Sequence, residues 1–495
     1  MQHEKIRIMM TFSFSKKIDQ TTPCVFAFLE GETKVVLPCP QEKFLKLFLK
    51  KEVFRAESGE HLETHDTSSG SIQKIMLFGL GKKKDLNNFS ARNLGAKIIK
   101  AAREWKEKKI ALVLPKDLQG LSKSLAEGLV MGGYNAVKYK TGEEKKKLDK
   151  KMIEEVIVLG ASWSKQKKAC EESLLIGESV NEVRDMVNAG PNILGTKKFV
   201  EMSKEVAREG GYRFHDLGRK EMKKLGLNGI LAVNRGSEEE GHLLILEHRT
   251  ASTEAPILLV GKGIIFDTGG INLKPSGSLH EMHLDMAGAA AVLGVFQLLK
   301  KMGIQKNVIG LMPVTDNAIG SKAYKPADII STYSGKTVEV MNTDAEGRMI
   351  LCDALAYGIE KYKPRAVIDI ATLTGACMVA LAFRTAALLG NDEKLMETIK
   401  AAAKVTDEPV CEFPITDADE NAIKGKMADI SNSPANHPYG GISRAAAFLR
   451  HFVGKTPWAH LDIAGCAYTK DPKDYEALMG TGFGVRLLIE VLKQL

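Results

Sequence analysis

The sequence predicts an α/β protein with a smaller α/β domain at its N-terminus and a larger α/β domain after it. A chain of 495 residues is too long for one hydrophobic core, so two domains are expected. Apolar runs of strand length alternate with stretches of helical periodicity along most of the chain. In the larger domain the apolar runs are nearly continuous, which indicates a mostly parallel sheet covered by helices on both faces.

Residues 1–165 form the predicted N-terminal domain. Strands are predicted at 23–29, 33–37, 75–81, 110–114 and 154–159, and helices at 89–105 and 118–132. The border is placed in the polar passage 160–168, which has no apolar periodicity. The second domain, residues 166–495, is predicted to start with a helix at 169–186, which the breakers of 188–192 end. Further helices are predicted at 199–209 and 286–299, and strands at 243–248, 257–260, 307–313, 337–341 and 366–371.

Composition predicts a cytoplasmic protein outside the membrane. Hydrophobic residues make up 44% and charged residues 26%, as in ordinary globular proteins, and no apolar run approaches the roughly 18 residues of a membrane helix. The first ten residues lack the apolar core and cleavage site of a signal peptide. The odd, dispersed set of cysteines suits a reducing compartment and argues against a disulfide framework or a cysteine-based zinc site. These cysteines are Cys24, Cys39, Cys170, Cys352, Cys377, Cys411 and Cys466.

The charge is concentrated in the N-terminal domain. Residues 1–165 hold 31 Lys and Arg against 20 Asp and Glu, a balance of +11, whereas the remainder holds 39 against 41. A basic domain can bind nucleic acid, so a DNA-binding regulator is one alternative. Lysine runs beside glutamates, as at 143–147, more often form a solvated face.

The stretch with the clearest chemistry is Asn-Thr-Asp-Ala-Glu-Gly-Arg at residues 342–348. It follows the predicted strand 337–341 and precedes an apolar helical pattern, so it is interpreted as a strand-to-helix turn at the carboxyl edge of the sheet. Asp344 and Glu346 lie side by side on this short loop. Divalent cations commonly compensate such crowded carboxylates.

A second group of charged residues follows the strand at 257–260. Lys262 and Asp267 lie in a glycine-rich stretch, and Asp285 precedes the helix at 286–299. Taken alone, Asp285 is more simply explained as a helix N-cap, and Lys262 as a solvated or ion-paired side chain. Together with Asp344 and Glu346 they offer four carboxylates for one or two divalent metals, which supports metal-assisted hydrolysis. The residues alone do not separate a peptidase from a phosphatase or a nuclease, and no His-Glu-x-x-His zinc motif is present.

The arrangement closely resembles the leucyl aminopeptidase family, the two-metal cytosol aminopeptidases. Asn-Thr-Asp-Ala-Glu-Gly-Arg is the signature of that family, and further blocks match in order at 260–263, 266–270, 274–275, 285–291, 372–376, 458–465 and 482–488. The resemblance covers roughly residues 170 to 490 and is weak before residue 165.

The resemblance implies a role for each site residue. Asp267 and Glu346 would bridge two Mn²⁺ or Zn²⁺ ions, Asp344 would complete one metal site, and Lys262 and Asp285 the other. Lys274 would polarise the scissile carbonyl, and Arg348 would hold a bicarbonate ion that acts as general base. Charge balance alone is the simpler role for these last two cations. The residues implied to bind the substrate are Met282, Thr372, Leu373, Gly375 and Ala464.

We therefore expect a metal-dependent aminopeptidase that releases leucine and other apolar residues from the N-termini of peptides. The resemblance implies attack by a metal-bridging water, a role in intracellular peptide turnover and a homohexamer. Ala467 departs from relatives with methionine there, which implies a wider slot for the first side chain. The alternatives are the DNA-binding regulator and a two-metal phosphoesterase.

Overall fold

A computed structural model describes residues 10–17, 21–32, 41–50, 53–67, 72–136, 138–160, 162–434, 439–472 and 475–495. The chain folds into two compact units. The N-terminal unit consists of Met1–Glu178 with Pro472–Ala477, and the C-terminal unit of Ser179–Asp471 with Leu478–Leu495. The predicted border between functional domains at residue 165 stays a prediction.

The N-terminal unit contains a six-stranded sheet with the order β1-β6-β5-β2-β4-β3. Its strands are β1 (Thr11–Ser15), β2 (Cys24–Phe28), β3 (His61–Asp66), β4 (Gln73–Gly79), β5 (Lys109–Val113) and β6 (Glu155–Leu159). Its helices are α1 (Glu42–Lys50), α2 (Asn88–Ala102), α3 (Ser122–Gly132) and α4 (Gly142–Lys150). Neighbouring strands pair in parallel except β3, which is antiparallel to β4.

Alternating side chains of β2 explain why this sheet carries helices on both faces. Val25 and Ala27 belong to the apolar cluster that contains α2 and α3, whereas Phe26 and Phe28 belong to the cluster that contains α1. The predicted strands at 23–29, 75–81, 110–114 and 154–159 are confirmed as β2, β4, β5 and β6. The predicted strand at 33–37 lies outside the described residues.

The C-terminal unit contains the larger set of elements, and α5 (Lys167–Val187) spans the end of one unit and the start of the other. Its strands are β7 (Arg213–Leu217), β8 (His242–His248), β9 (Ile257–Gly261), β10 (Gly263–Asp267), β11 (Val308–Asn317), β12 (Ile329–Ser331), β13 (Thr337–Glu339), β14 (Ala366–Ala371), β15 (Ala386–Gly390), β16 (Val410–Glu412), β17 (Ile430–Ser431), β18 (Trp458–Asp462), β19 (Tyr468–Thr469) and β20 (Met479–Gly480). Its further helices are α6 (Thr196–Gly210), α7 (Arg219–Leu225), α8 (Asn228–Asn234), α9 (Ser276–Leu279), α10 (Ala287–Leu299), α11 (Glu346–Tyr362), α12 (Gly375–Leu381), α13 (Glu393–Thr406), α14 (Asp417–Ala422), α15 (Gly441–Arg450) and α16 (Val485–Gln494).

The main sheet of the C-terminal unit has the order β16-β15-β18-β14-β9-β11-β8-β7, with β10 paired to β11. The central strands β18, β14, β9 and β11 are parallel to one another, and antiparallel pairing occurs at β15–β18, β11–β8 and β8–β7. The predicted fold class, an α/β protein with a mostly parallel sheet, is therefore confirmed. The smaller strands β12, β13 and β17 form a separate three-stranded sheet.

Helices α10 and α11 cover opposite faces of the main sheet. A Cβ added at Gly310 of β11 would lie 2.5 Å from the ring of Phe296 in α10. The next side chain along β11, Leu311, lies 3.0 Å from a Cβ added at Gly358 of α11. Since successive strand residues point to opposite faces, the two helices cover both faces of the sheet, as predicted.

One helical run in the described part of the chain, Ser276–Leu299, is long and apolar enough to cross a membrane by length and composition alone. Inside the protein, 83% of its most apolar window is buried, because α10 packs on β9 and β11 as a core helix.

Candidate active site

The site is built at the carboxyl edge of the main sheet. Strands β9, β14 and β18 are parallel neighbours, so the residues that follow them meet at one edge. Lys262 follows β9, Thr372 follows β14, and Ala464 lies two residues beyond β18. Asp267 ends β10, which pairs in parallel with β11.

The acidic motif at 342–348 reaches this edge from a different sheet. The predicted strand before the motif is confirmed as β13, and the predicted helix after it as α11, but β13 belongs to the small sheet and not to the sheet whose edge the motif reaches. Hydrogen bonds hold the motif in place instead. Thr343 Oγ1 donates to Gly269 O over 2.6 Å, and Thr343 N donates to Asn272 Oδ1 over 2.9 Å. Glu346 is the first residue of α11.

Three carboxylates lie close enough to share a metal ion. One oxygen each from Asp267, Asp344 and Glu346 can be chosen so that all lie within 4.8 Å of one another. Asp267 and Glu346 are buried and Asp344 is partly buried. The predicted residues therefore meet although they come from separate segments of the chain.

Two lysines pair with this acidic group. The ammonium of Lys262 lies 2.8 Å from Asp285 and 2.9 Å from Glu346. The ammonium of Lys274 lies 2.8 Å from Asp267 and 2.5 Å from Asp344. Asp285 does not cap α10: its Oδ1 instead accepts hydrogen bonds from Lys262 Nζ and from Thr372 Oγ1, the latter over 2.7 Å.

Gly347 makes room for Lys262. A Cβ at this position would lie 2.6 Å from the Cε atom of Lys262, closer than real Cβ contacts allow. The glycine of the acidic motif is therefore required for the buried lysine to reach Glu346.

Burial and mutual repulsion shift the pKa values of these groups. Burial raises the pKa of Asp267 to about 6, and the charge of Glu346 adds to the increase. Burial also raises the pKa of Asp285 well above its usual value. Burial lowers the pKa of Lys262, but the carboxylates of Asp285 and Glu346 outweigh it and hold the pKa above its ordinary value.

The donor set fits divalent cations. Four carboxylates face two ammonium groups in this cluster, which leaves an excess of negative charge. Glu346 Oε2 is buried and has no hydrogen-bond partner among the described residues. Hard or borderline divalent ions such as Mn²⁺ and Zn²⁺ accept carboxylate oxygens, so these side chains can hold them.

Arg348 is buried behind the carboxylates. Its Nη1 donates to Asn432 O over 2.6 Å, while its Nε has no partner among the described residues. Burial lowers the pKa of Arg348 to about 10, so the guanidinium remains charged at neutral pH. A buried guanidinium with an unused donor can bind an anion.

The loop after β14 is the remaining wall of the edge. Thr372 is buried, with its carbonyl 2.8 Å from Lys262 Nζ, and Leu373 is partly buried. Gly375 is exposed, and a Cβ added there would meet no atom within 4 Å. Met282 lies on a 3₁₀ turn, Met282–Leu284, just before Asp285.

Asp462, which was not predicted as a site residue, organises this wall. Its fully buried carboxylate accepts hydrogen bonds from Leu373 N and Ala464 N, both over 3.1 Å, and from Thr374 Oγ1 over 2.6 Å. It thereby joins the loops that follow β14 and β18. Its position as the last residue of an apolar strand run was the signal that could have found it.

Two amides were also missed. Asn317 Nδ2 donates to Asp267 Oδ1 over 2.8 Å, and Asn432 Nδ2 donates to Asn342 O over 2.7 Å. Asn317 ends β11, the same signal as for Asp462. Asn432 lies in a polar loop about ninety residues from the motif that it holds, and nothing in its local sequence indicates that contact.

Comparisons with known proteins agree with this geometry. Residues 181–489 match the family model described as "Cytosol aminopeptidase family, catalytic domain", and residues 37–143 match the "Cytosol aminopeptidase family, N-terminal domain". The chain is 40% identical over 431 residues to a "Probable cytosol aminopeptidase" of Geotalea uraniireducens (strain Rf4), covering 86% of each chain. It is 37% identical to the protein of the same description from Chlorobium phaeobacteroides (strain DSM 266 / SMG 266 / 2430), covering 99% of this chain and 100% of the relative.

A solved structure supports the same grouping. "Bottromycin maturation enzyme BotP in complex with Mn" matches with a TM-score of 0.84 and 30% sequence identity, covering 96% of this chain and 99% of that one. A buried acidic cluster at the carboxyl edge of a mostly parallel sheet is suited to metal-assisted hydrolysis, the reaction of the metal-dependent hydrolases. Within that class, this chain belongs to the cytosol aminopeptidase family, and it is a metallo-aminopeptidase.

The comparisons also correct one expectation. The resemblance was weak before residue 165, but the family's N-terminal domain matches residues 37–143. The N-terminal unit is thus part of the same family architecture.

Proposed function

We propose that this chain holds two divalent metal ions and releases apolar residues, leucine foremost, from the free N-termini of peptides. The observation that carries the proposal is the grouping of Asp267, Asp344 and Glu346 within 4.8 Å, beside two buried ammonium groups. Membership of an aminopeptidase family favours this function over the phosphoesterase that the residues alone left open.

In this proposal five side chains hold the metals. Asp267 and Glu346 would serve both ions, since each offers a buried carboxylate to the group and each contacts one of the two lysines. Asp344 would serve one ion, and Lys262 and Asp285, which contact each other, would serve the second. Lys262 would bind as the neutral amine, because two dications nearby strongly lower its pKa and displace the proton. When bound, the two metal ions would supply a nucleophilic hydroxide from water at neutral pH and would polarise the scissile carbonyl.

The chain's own cations assist the reaction. Lys274 lies beside Asp267 and Asp344, so its ammonium can donate to the carbonyl oxygen as negative charge develops there. Arg348, whose Nε has no partner among the described residues, would hold a bicarbonate ion, which would supply a general base beside the attacking water.

The loop after β14 binds the substrate. The backbone at Leu373 binds the peptide, and the first side chain enters a slot formed by Met282, Thr372, Gly375 and Ala464. The open space at Gly375 supports this slot, as does the bond that ties Ala464 to Asp462. Ala467, buried in the turn after β18, gives the slot its proposed extra width.

We further propose that the enzyme works in intracellular peptide turnover in the cytoplasm, as a homohexamer. The name shared by its relatives, cytosol aminopeptidase, supports the location. DNA binding by the basic N-terminal unit stays a prediction, to be tested by retardation of duplex DNA at low salt.

The decisive experiment is hydrolysis of leucine anilide with a chelator, and then with added Mn²⁺ or Zn²⁺. Activity that the chelator abolishes and metal restores supports the proposal, whereas full activity in demetallated protein contradicts it. Two matched substrates sharpen the result. N-acetyl-leucine anilide, which lacks the free amino terminus, is expected to resist hydrolysis, and a phenyl phosphate ester tests the phosphoesterase alternative.

A further inference from the structure

The N-terminal unit contains a cavity of about 270 Å³ that the proposed function does not use. It lies where β4 ends at Gly79 and α2 begins, at the carboxyl edge of that unit's parallel sheet. Ligands of α/β proteins bind at such edges. The volume lies just below the roughly 300 Å³ at which pockets for drug-sized ligands begin, so it suits a molecule the size of an amino acid.

The floor of the cavity is apolar. This floor consists of four buried side chains, those of Phe78, Leu80, Leu94 and Leu118. Phe89, at the start of α2, also lines it and remains 40% exposed. An apolar group of a ligand would therefore be removed from water on this floor.

Three polar side chains of α2, those of Ser90, Asn93 and Lys97, line the same cavity. Lys97 is exposed, and no ion pair reaches it within the described part of the chain. Asn93 is more than nine-tenths buried, and its Oδ1 has no hydrogen-bond partner among the described residues. A buried amide without a partner is costly, which points to a partner that binds there.

The start of α2 argues against a phosphate ligand. Asn87 Oδ1 accepts from Ser90 N over 2.9 Å, and Ser90 Oγ accepts from Asn87 N over 2.9 Å, a reciprocal capping box. These bonds occupy a backbone N–H that a phosphate at a helix N-terminus would use. A single lysine over an apolar floor is better matched to one carboxylate.

We propose that this cavity binds a free α-amino acid with an apolar side chain. The carboxylate pairs with Lys97, the ammonium donates to the Asn93 amide, which can turn its oxygen to the cavity, and the side chain covers the leucine floor. Such molecules are the products of the proposed reaction, so the assignment of the ligand's source rests on that function. The binding itself rests only on the cavity.

The test places a fluorescent reporter at the cavity. In Phe89→Trp, titration with L-leucine is expected to give a saturable emission change beyond that of the wild type, which reports the three native tryptophans. Lys97→Met in the same background is expected to weaken binding by about tenfold or more, since a hydrogen-bonded charge is lost. Lys100→Met, an exposed lysine of the same helix that does not line the cavity, is the matched control and is expected to bind normally.

Other outcomes overturn the proposal. An unchanged emission at roughly 10 mM leucine, a range that covers millimolar affinity, shows that the cavity does not bind it. Equal binding of L-leucinamide contradicts the carboxylate contact with Lys97, and displacement of leucine by inorganic phosphate assigns the cavity to phosphate. Equilibrium dialysis of L-leucine with the wild type and Lys97→Met, without the tryptophan, guards against a disturbed reporter: equal binding to both proteins contradicts the proposal.

The same measurements separate this proposal from the proposed function. If the protein does not hydrolyse leucine anilide but still shows the Lys97-dependent emission change, the cavity proposal holds and the proposed function is contradicted. If the protein hydrolyses leucine anilide but shows no such emission change, only the cavity proposal is contradicted.

Discussion

Both units of this chain have a mostly parallel sheet with helices on both faces, yet the two carboxyl edges carry different chemistry. At the edge of the main sheet, Asp267, Glu346 and Lys262 are all buried and in charged contact with neighbours. At the edge of the N-terminal sheet, Gly79 and Leu80 border a cavity with an apolar floor and one lysine. The fold determines where a site lies, and the side chains of the turns determine what it does.

At the edge of the main sheet, burying ionised carboxylates costs free energy. Burial raises the pKa of Asp267 to about 6 and raises that of Asp344 as well, so their ionised forms are held against a penalty. Groups of this kind concentrate at functional sites, because divalent cations or substrate compensate them.

The largest effect is expected for Glu346→Ala. The change removes one of the three grouped carboxylates, so metal content and activity should both fall, activity by more than about 10³-fold, the upper worth of a single stabilising donor. Elemental analysis and leucine-anilide kinetics measure the two losses. Glu360→Ala, at the exposed end of the same helix, should change neither. Full metal content in Glu346→Ala would exclude the residue from the metal site.

The next effect separates catalysis from metal binding in the same motif. Arg348→Ala removes no proposed ligand, so metal content should stay near that of the wild type while kcat falls about 10²-fold to 10⁴-fold, the worth of acid–base catalysis. Arg348→Lys keeps the charge but loses the guanidinium geometry, and it should not restore kcat. Loss of the metals in Arg348→Ala, or full activity in Arg348→Lys, would show that Arg348 only balances the charge of the carboxylates.

The strand ends of the main sheet were predictable, whereas the contacts between distant loops were not. Nearly uninterrupted apolar runs predicted β9 and β14, because strands buried on both faces need apolar residues throughout. The polar strand β3 and the amphipathic helix α1 were not predicted, since β3 alternates between exposed and half-buried positions at an edge. Lys262, Asp267 and Glu346 were found from their residue types, but Asn432 acts through a contact across more than eighty residues, which no local pattern contains.

A smaller effect is expected where Asp462 holds the substrate loop. Asp462→Asn weakens the bond from Thr374 Oγ1 and the alignment of Leu373, so KM for leucine anilide should rise about tenfold or more, with a smaller change in kcat. Thr374→Val removes a single bond of the set and should show part of the effect. A lower melting temperature with unchanged KM in both variants would show that Asp462 supports the fold and does not position the loop.

The smallest effect is expected for substitutions of one glycine at each sheet edge, Gly375 in the main sheet and Gly79 in the N-terminal sheet. A Cβ added at Gly375 would meet no atom within 4 Å, whereas one added at Gly79 would lie 2.1 Å from the carbonyl oxygen of Glu57. If the space at Gly375 receives the first side chain of the peptide, Gly375→Val fills it. The kcat/KM for leucine anilide should then fall by about tenfold or more relative to alanine anilide, the usual worth of a methylene or two in a pocket.

The melting temperature of Gly375→Val should remain close to that of the wild type, because nothing is displaced. Gly79→Ala is expected to do the opposite. The added methyl group collides with backbone, so the melting temperature should fall, while the ratio of the two substrates stays the same in the protein that folds. Equal losses on leucine and alanine anilides in Gly375→Val would place the first side chain elsewhere. The space at the main-sheet edge would then have no part in specificity.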